Sequence, residues 1–303
     1  MEASRLPPAP VTLPDEAGGA RQVVADYVAL TKPKVQSLLL LTTVCSMEIA
    51  GDPSIGLIAL TVAGGYLSAG GAGAVNHYFD RDIDALMPRT ANRPVPAGRV
   101  APRAALTFGV VLAALSFVLL ATTVNLLAAT LALCGFLGYV FVYTVWLKRR
   151  TPQNIVIGGA AGAVPPLVGW AAVTGGLGGM PLYLFAIVFF WTPPHFWALS
   201  LLMKDEYERV GVPMLPVVRG EQETRKQILL YAILLWAVTQ LPYCAGGLGP
   251  FYLVSSLVLG GLLIGGAIVL YRRADRRSAL RLYLFSLVYL ALLFGAMVVD
   301  VKL

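Results

Sequence analysis

The chain is short of charge: 13% of its 303 residues are Asp, Glu, Lys or Arg, against 57% that are hydrophobic. A soluble domain carries roughly 25% charged residues, so this composition argues against an ordinary water-soluble globule. Cysteine is scarce as well. Cys45, Cys134 and Cys244 lie far apart, each in or at the edge of an apolar stretch. No pair has the spacing of a metal-ligand or redox motif, and all three read as packing residues. Histidine is limited to His77 and His195. Behind Arg5 there is no apolar stretch of the kind a secretory signal peptide needs. Residues 1–22 include a run rich in Pro, Ala and Gly, and read as a disordered cytoplasmic tail. Residues 23–303 read as a single transmembrane domain.

What the chain has instead is apolar length. Nine segments stand out, near Val35–Ala50, Ile55–Phe79, Ala104–Thr123, Val124–Trp146, Ile155–Val173, Leu182–Met203, Ile228–Ala245, Phe251–Tyr271 and Leu280–Val299. Runs of ~18 or more apolar residues are membrane spans. The expected fold class is therefore all-α: a polytopic bundle of about nine transmembrane helices in a lipid bilayer. The first segment is short, and Val24–Leu30, beyond a break at Thr31–Lys34, is a candidate extension of it. The third and fourth are almost continuous. One helix of that length is too long for a single crossing, so a tight turn is expected at Asn125.

Charge fixes the expected orientation. Lys and Arg fall in the tail (Arg5, Arg21, Lys32, Lys34) and then in alternate connections: Arg81 to Arg103, Lys148 to Arg150, Lys204 to Lys226, and Arg272 to Arg281. The intervening connections have none, and only Lys302 breaks the pattern. The positive-inside rule then puts the N-terminus and the basic connections in the cytoplasm, with the bacterial inner membrane as the location. The net charge of +7 is thus mostly topology. Basic residues dispersed between spans are no nucleic-acid footprint, and none is expected as a partner. The other connections, such as Gly175–Gly179 and Gly246–Pro250, are short and Gly-rich and read as plain turns. Small residues four apart, Gly158 with Gly162 and Gly70 with Ala74, read as close helix contacts.

Chemistry is therefore sought on the basic side, where the second span runs into Asn76-His77-Tyr78-Phe79-Asp80-Arg81-Asp82-Ile83-Asp84. On a continuing helix Asn76, Asp80 and Asp84 stand at i, i+4 and i+8, one face over roughly 12 Å, while Asp82 points elsewhere. Such carboxylates can be a solvated helix end. Polar groups that begin inside a span are costly, however, and more often mark a site. Mg²⁺ takes one or two carboxylates and completes its shell with phosphate oxygens. Arg89 and Arg93 follow within reach, and Arg binds phosphate groups bidentately. Carboxylates, metal and Arg together suit a diphosphate. Lys148, Arg149 and Arg150 add to this cluster or serve topology alone.

Asn-x-x-x-Asp-x-x-x-Asp followed by Arg-Thr-x-x-Arg-Pro resembles the first signature of the UbiA-type intramembrane prenyltransferases. Three further stretches, Tyr143–Asn154, Trp191–Trp197 and Gly211–Pro216, are similar to the haem-modifying branch of that family. The resemblance runs from about Thr31 to Arg225, with the last two spans fitting by pattern. One departure stands out. In place of a second Asp-x-x-x-Asp after the sixth span there is Lys204-Asp205-Glu206-Tyr207-Glu208-Arg209, which leaves open whether Asp205, Glu206 or only diphosphate and water hold a second metal.

The resemblance implies farnesyl diphosphate and haem B as substrates, Mg²⁺ as cofactor, and a downstream haem-modifying enzyme or terminal oxidase as partner. It implies that Asn76, Asp80 and Asp84 hold the metal and act with Arg89, Arg93 and Lys148 in catalysis. Lys148, Arg149, Tyr143, His195, Asp205 and Tyr207 are the implied substrate-binding residues. Tyr139, Tyr143 and Trp146 offer ring faces to a cation, or simply pack. His195 follows Pro193 and Pro194, which disrupt a helix and free its carbonyls; the imidazole is expected either to bond those carbonyls or to approach haem iron. His77, one residue past Asn76, is placed facing the same cavity. Two alternatives stand beside this reading: another member of the family, acting on a quinone precursor or a tetrapyrrole carboxylate, and a cation-coupled transporter.

Overall fold

The computed structural model describes residues 16–303, and every regular element among them is helical. Residues 1–15, most of the expected tail, lie outside the described residues. Helix α1 (Glu16–Leu30) takes in residues 16–22, which the sequence reading assigned to that tail. In chain order there follow α2 (Pro33–Ala50), α3 (Ile55–Phe79), the short α4 (Arg81–Leu86), α5 (Pro102–Thr123) and α6 (Leu126–Leu137). A π-helical stretch, Gly138–Leu147, continues α6. Then come α7 (Asn154–Gly162), α8 (Val164–Thr174), α9 (Gly179–Leu202), and the short α10 (Lys204–Arg209) and α11 (Leu215–Val218). The last four are α12 (Gly220–Val238), α13 (Leu241–Cys244), α14 (Pro250–Arg273) and α15 (Arg276–Lys302).

Among the described residues eight stretches are long and apolar enough to cross a membrane, and α6 with its π continuation, α7 with α8, and α12 with α13 each count as one of them. Helix α2 matches the first sequence segment. Its 18 residues give about 27 Å; Lys34, Gln36 and Glu48 make it less apolar, yet it sits inside the bundle against α8 and α15. Val110, Val111, Leu115 and Val118 on α5, and Leu284, Val288 and Leu292 on α15, are exposed. Apolar stripes of this length are faces that lipid covers.

Small residues set how closely the helices approach. A Cβ on Gly71 of α3 would lie 2.6 Å from the carbonyl oxygen of Gly109 on α5, so the two backbones touch there. Gly169 of α8 meets the Thr43 carbonyl of α2 in the same way. Of the expected pairs, Gly158 receives the Tyr143 ring and Gly70 faces Thr31 and Gln36, but Gly162 has nothing within 4 Å. The α5–α6 turn falls where expected: Asn125 caps α6 by accepting from Ala128 N (2.8 Å) and ties it to α8 by donating to Ala171 O (2.8 Å).

Lys302, the exception to the charge pattern, has a local explanation. At the end of α15 it pairs with Asp52 and with Glu48 (3.4 Å). Asp300, one half-turn earlier, accepts from Gly249 N and from Tyr252 N (2.9 Å), satisfying the free donors at the start of α14.

Candidate active site

The site lies at the opposite end of the bundle, where α3 stops. Asp80 N donates to Asn76 O (2.9 Å) and Asp84 N to Asp80 O (2.8 Å), so helical spacing is carried across the joint between α3 and α4. Asn76, Asp80 and Asp84 are each no more than 3% exposed, whereas the Asp82 side chain is 60% exposed. Burying two carboxylates one turn apart requires compensating positive charge, and three other elements deliver it. From the end of the π stretch, Lys148 pairs with Asp80 Oδ2. From the loop after α4, Arg93 reaches Asp84 Oδ2 at 2.7 Å. From the α1–α2 break, Lys32 Nζ donates to Asn76 Oδ1 at 2.6 Å. The Asn76 amide donates in turn to Asp80 Oδ2 (2.7 Å) and Thr144 Oγ1 (3.2 Å).

The π stretch brings its residues to one side. With i to i+5 hydrogen bonds, such as Lys148 N to Tyr143 O (2.9 Å), each turn holds more residues than an α turn, and residues four apart lie on one side. Thr144 and Lys148 both face the motif, and Tyr139 and Tyr143 pack ring to ring at 5.4 Å. Trp146 is 55% exposed, unlike the partly buried Tyr139 and Tyr143, which favours a place on the outer surface of the bundle. Nothing in the sequence marks the π hydrogen bonding.

The loop that carries Arg93 is itself held down. Arg99 pairs with the buried Asp26 of α1 (3.0 Å) and donates to Asn92 O (3.0 Å). Thr90 Oγ1 donates to Asp84 O (2.9 Å). Val95 and Val100 pack with Leu30 and Ala74. Arg89, by contrast, is exposed and has no ion-pair partner among the described residues. Arg149 lies mainly outside: it grips Asp82 with two hydrogen bonds of 2.6 Å and holds that carboxyl down at about 2, leaving 3.8 Å to Asp80 Oδ1.

One residue that the sequence reading missed matters, and so does one that it left open. The sequence reading counts Lys32 only as topology: the Lys-Pro pair at a break is visible there, but its partner Asn76 is not. Loss of hydration at its ammonium, with Arg93 nearby, pushes Lys32 down to about 7. Its backbone is left-handed, with φ 54° and ψ 54°, a conformation that costs a non-glycine residue on the order of 1 kcal/mol. The residue left open is Glu206, weighed beside Asp205. On α10 the expected Asp205 is exposed, while Glu206 Oε2 is buried with no hydrogen-bond partner. Tyr207, beside it, is buried, and loss of hydration raises its hydroxyl above the usual range.

His195 sits apart, deeper along α9. The helix runs unbroken through Pro193 and Pro194, and the imidazole bonds Ser286 of α15 and not the carbonyls that those prolines leave without a donor. Its ring is stacked between Trp191 (4.3 Å) and Tyr283 (4.9 Å), with Nδ1 2.7 Å from Ser286 Oγ. Ser286 Oγ also lies 2.7 Å from Tyr283 O, which can only accept. The single hydroxyl proton is therefore spent there, and Nδ1 must be the protonated nitrogen. That leaves Nε2 with its lone pair free. His77 is buried with neither ring nitrogen bonded.

Among the described residues no three His, Cys, Asp or Glu side chains gather as a metal site. The set here is two carboxylates and one amide oxygen, with Asp80 Oδ1 buried and lacking a hydrogen bond. Those oxygens fit a hard ion that takes its remaining ligands from substrate. Lys32, Arg93 and Lys148 outnumber Asp80 and Asp84, so the cluster is one negative charge short.

A membrane-spanning helical bundle that buries such a cation-rich acidic cluster at one end presents a candidate intramembrane site. The model of the UbiA prenyltransferase family matches residues 39–293, and the chain belongs to that family. The chain is 55% identical over 284 residues to the protohaem IX farnesyltransferase of Roseiflexus sp. (strain RS-1), covering 93% of this chain and 53% of that protein. It is 56% identical over 284 residues to the protohaem IX farnesyltransferase of Symbiobacterium thermophilum, covering 92% and 95%. The chain thus spans about half the length of the Roseiflexus relative and nearly all of the Symbiobacterium one. Among solved structures, a digeranylgeranylglyceryl phosphate synthase superposes with a TM-score of 0.76 at 20% identity, covering 93% of this chain and all of that one (100%). A UbiA homologue from Archaeoglobus fulgidus, bound to DMAPP and Mg²⁺, gives 0.68 at 16%, covering 90% and 99%. At these identities the two structures speak for the fold alone.

Proposed function

We propose that the chain transfers the farnesyl group of farnesyl diphosphate to a vinyl group of haem B, giving haem O and diphosphate. The observation that carries the transfer chemistry is the buried cluster of Asn76, Asp80 and Asp84 among Lys32, Arg93 and Lys148. Its surplus of positive charge suits a diphosphate leaving group. The acceptor rests on relatives at 55–56% identity that carry the name protohaem IX farnesyltransferase, and residues 23–303 act as one transmembrane prenyltransferase domain. Asn76, Asp80 and Asp84 would hold Mg²⁺, which supplies positive charge to the departing diphosphate.

The remaining work falls to the chain's own groups. Arg93 and Lys148, with Arg89 at the rim, bind the diphosphate and stabilise the charge it gains as the allylic C–O bond breaks. Asp80 and Asp84 keep those cations in place before substrate arrives. The farnesyl carbon, left electron-poor, takes the π electrons of the vinyl group to form the new C–C bond. Water then adds to the resulting benzylic-type cation and loses a proton, which gives the hydroxyethylfarnesyl group. Tyr139 and Tyr143 line the hydrophobic side of the cluster, which keeps bulk water from the first cation. His195 contacts the haem, with Nε2 free to approach iron while Ser286 holds Nδ1, the arrangement usual for a metal-bound imidazole.

The motif end faces the cytoplasm of a bacterial inner membrane, as the basic connections favour. With the native cysteines replaced, single cysteines at Arg99 and Glu221 should label from the cytoplasm and those at Gly176 and Gly178 from outside. Labelling of Glu221 and Gly178 from one side would remove a span. The activity itself is tested by mass spectrometry of haem extracted from cells with and without the chain. Haem O should appear only with it, and an unchanged haem profile would sink the assignment. A transporter has less support, because the buried carboxylates Asp26, Asp80 and Asp84 sit at one membrane boundary instead of lining a path across.

A further inference from the structure

Lys32 stands where a metal ligand would have to be free. The Asn76 amide is oriented by its donations to Asp80 and Thr144, so Oδ1 is its one atom able to face a cation, and Lys32 Nζ occupies it at 2.6 Å. A carbonyl oxygen has two lone pairs, but a metal on the second would sit within about 4 Å of the ammonium, in surroundings poor in water where like charges repel strongly. Metal on Asn76 and Lys32 on Asn76 therefore exclude each other. The displaced ammonium, only partly exposed, needs another anion. Asp80 is taken by Lys148 and Asp84 by Arg93, and both carboxylates would also serve the metal. The anion left is the diphosphate.

We propose that Lys32 is an exchange residue, holding Asn76 in the unloaded site and moving onto the substrate diphosphate when the metal binds, so that metal and diphosphate load together. This rests on the reading that the site takes a prenyl diphosphate. The local structure suits the task. The base of Lys32 is fixed: Thr31 Oγ1 donates to Val28 O (2.7 Å) and meets Tyr66 OH (2.9 Å), the Gln36 amide bonds Thr31 O, and Pro33 follows. The left-handed backbone at Lys32 aims the side chain at the motif, while its four-carbon stem leaves the ammonium free to shift.

The test is binding by the purified full chain in detergent, with Mn²⁺ as the metal probe, read by electron paramagnetic resonance, and farnesyl thiodiphosphate as an unreactive substrate. Wild type should bind Mn²⁺ weakly alone and at least tenfold more tightly with the analogue, and the analogue should gain the same factor from Mn²⁺. Lys32→Met, checked for wild-type elution and thermal midpoint, should bind Mn²⁺ alone more tightly and the analogue less tightly, with the coupling shrunken severalfold. Lys32→Arg should keep most of the coupling. Unchanged or weaker Mn²⁺ binding in folded Lys32→Met overturns the exchange. If Lys32→Met does not fold, the wild type decides: Mn²⁺ affinity that the analogue leaves unchanged overturns it as well. Failure of the wild type to bind the analogue under any metal condition removes the diphosphate reading, and this inference falls with it.

Discussion

The two ends of the bundle both carry acidic and basic side chains, and they use them in opposite ways. At the end with Lys302 the charges sit nearer solvent and have their bonds made: Asp52 is 93% exposed at its side chain and pairs with Lys302, and Asp300 caps α14. At the motif end Asp80 and Asp84 are almost wholly buried, the cations outnumber them, and Asp80 Oδ1 and Glu206 Oε2 have no hydrogen bond. Exposed pairs contribute little and cost little. Buried, unbalanced ones are expensive and persist where a ligand completes them. An ion pair as such therefore says little; burial together with unfilled bonding capacity separates a site from a fastening.

The comparison can be broken most forcefully at the motif. Asp80→Ala or Asp84→Ala should lower kcat by about a thousandfold or more, because each removes a metal oxygen and strands a buried cation. Asp82→Ala, on the solvent side with Arg149, should stay within about threefold. Equal losses from all three in folded protein would end the one-face account. Next in size, Lys148→Met should cost about a hundredfold in kcat, read in the same farnesyl transfer assay. A smaller effect is expected at His195: His195→Ala should shift the haem absorption spectrum and weaken haem binding roughly tenfold or more. Ser286→Ala should do so to a lesser degree, with farnesyl thiodiphosphate binding kept in both. An unaltered spectrum in His195→Ala would return the ring to packing. Smallest are the changes at the far end. Asp300→Ala should lower stability by about 1 kcal/mol, and Asp52→Ala should leave the denaturation midpoint where it is. Turnover should be unchanged in both, and a loss of activity from either would erase the distinction between the ends.

Much of this was readable in the residues. Nine apolar segments, the turn at Asn125 and the shared face of Asn76, Asp80 and Asp84 follow from period and hydropathy, because the helix repeat and lipid leave few other choices. What escaped depends on contacts between distant segments. Gly71 and Gly109 meet because α3 crosses α5, and no spacing within either helix marks that. Lys32 looked like a topology signal because its partner is 44 residues away. Asp205 drew attention over Glu206 because the choice between adjacent carboxylates depends on how α10 docks. At His195 the prolines suggested a broken helix, but the bundle on either side keeps α9 intact and gives the imidazole a hydroxyl from α15.

The π-helical stretch Gly138–Leu147 makes the fourth crossing unusual in what it can tolerate over generations. In an ordinary spanning helix, loss of one residue shortens the crossing by about 1.5 Å and turns everything beyond it by about 100°, so the side chains past the deletion change partners. A π turn holds a surplus residue in the hydrogen-bond ladder. Loss of one residue here lets a wide turn relax to the common kind, and the residues beyond it keep close to their angular phase, with Lys148 toward Asp80 and Arg149 toward Asp82. The segment should therefore absorb a single deletion more readily than the neighbouring spans do, with the lost length taken up by a slight change in tilt.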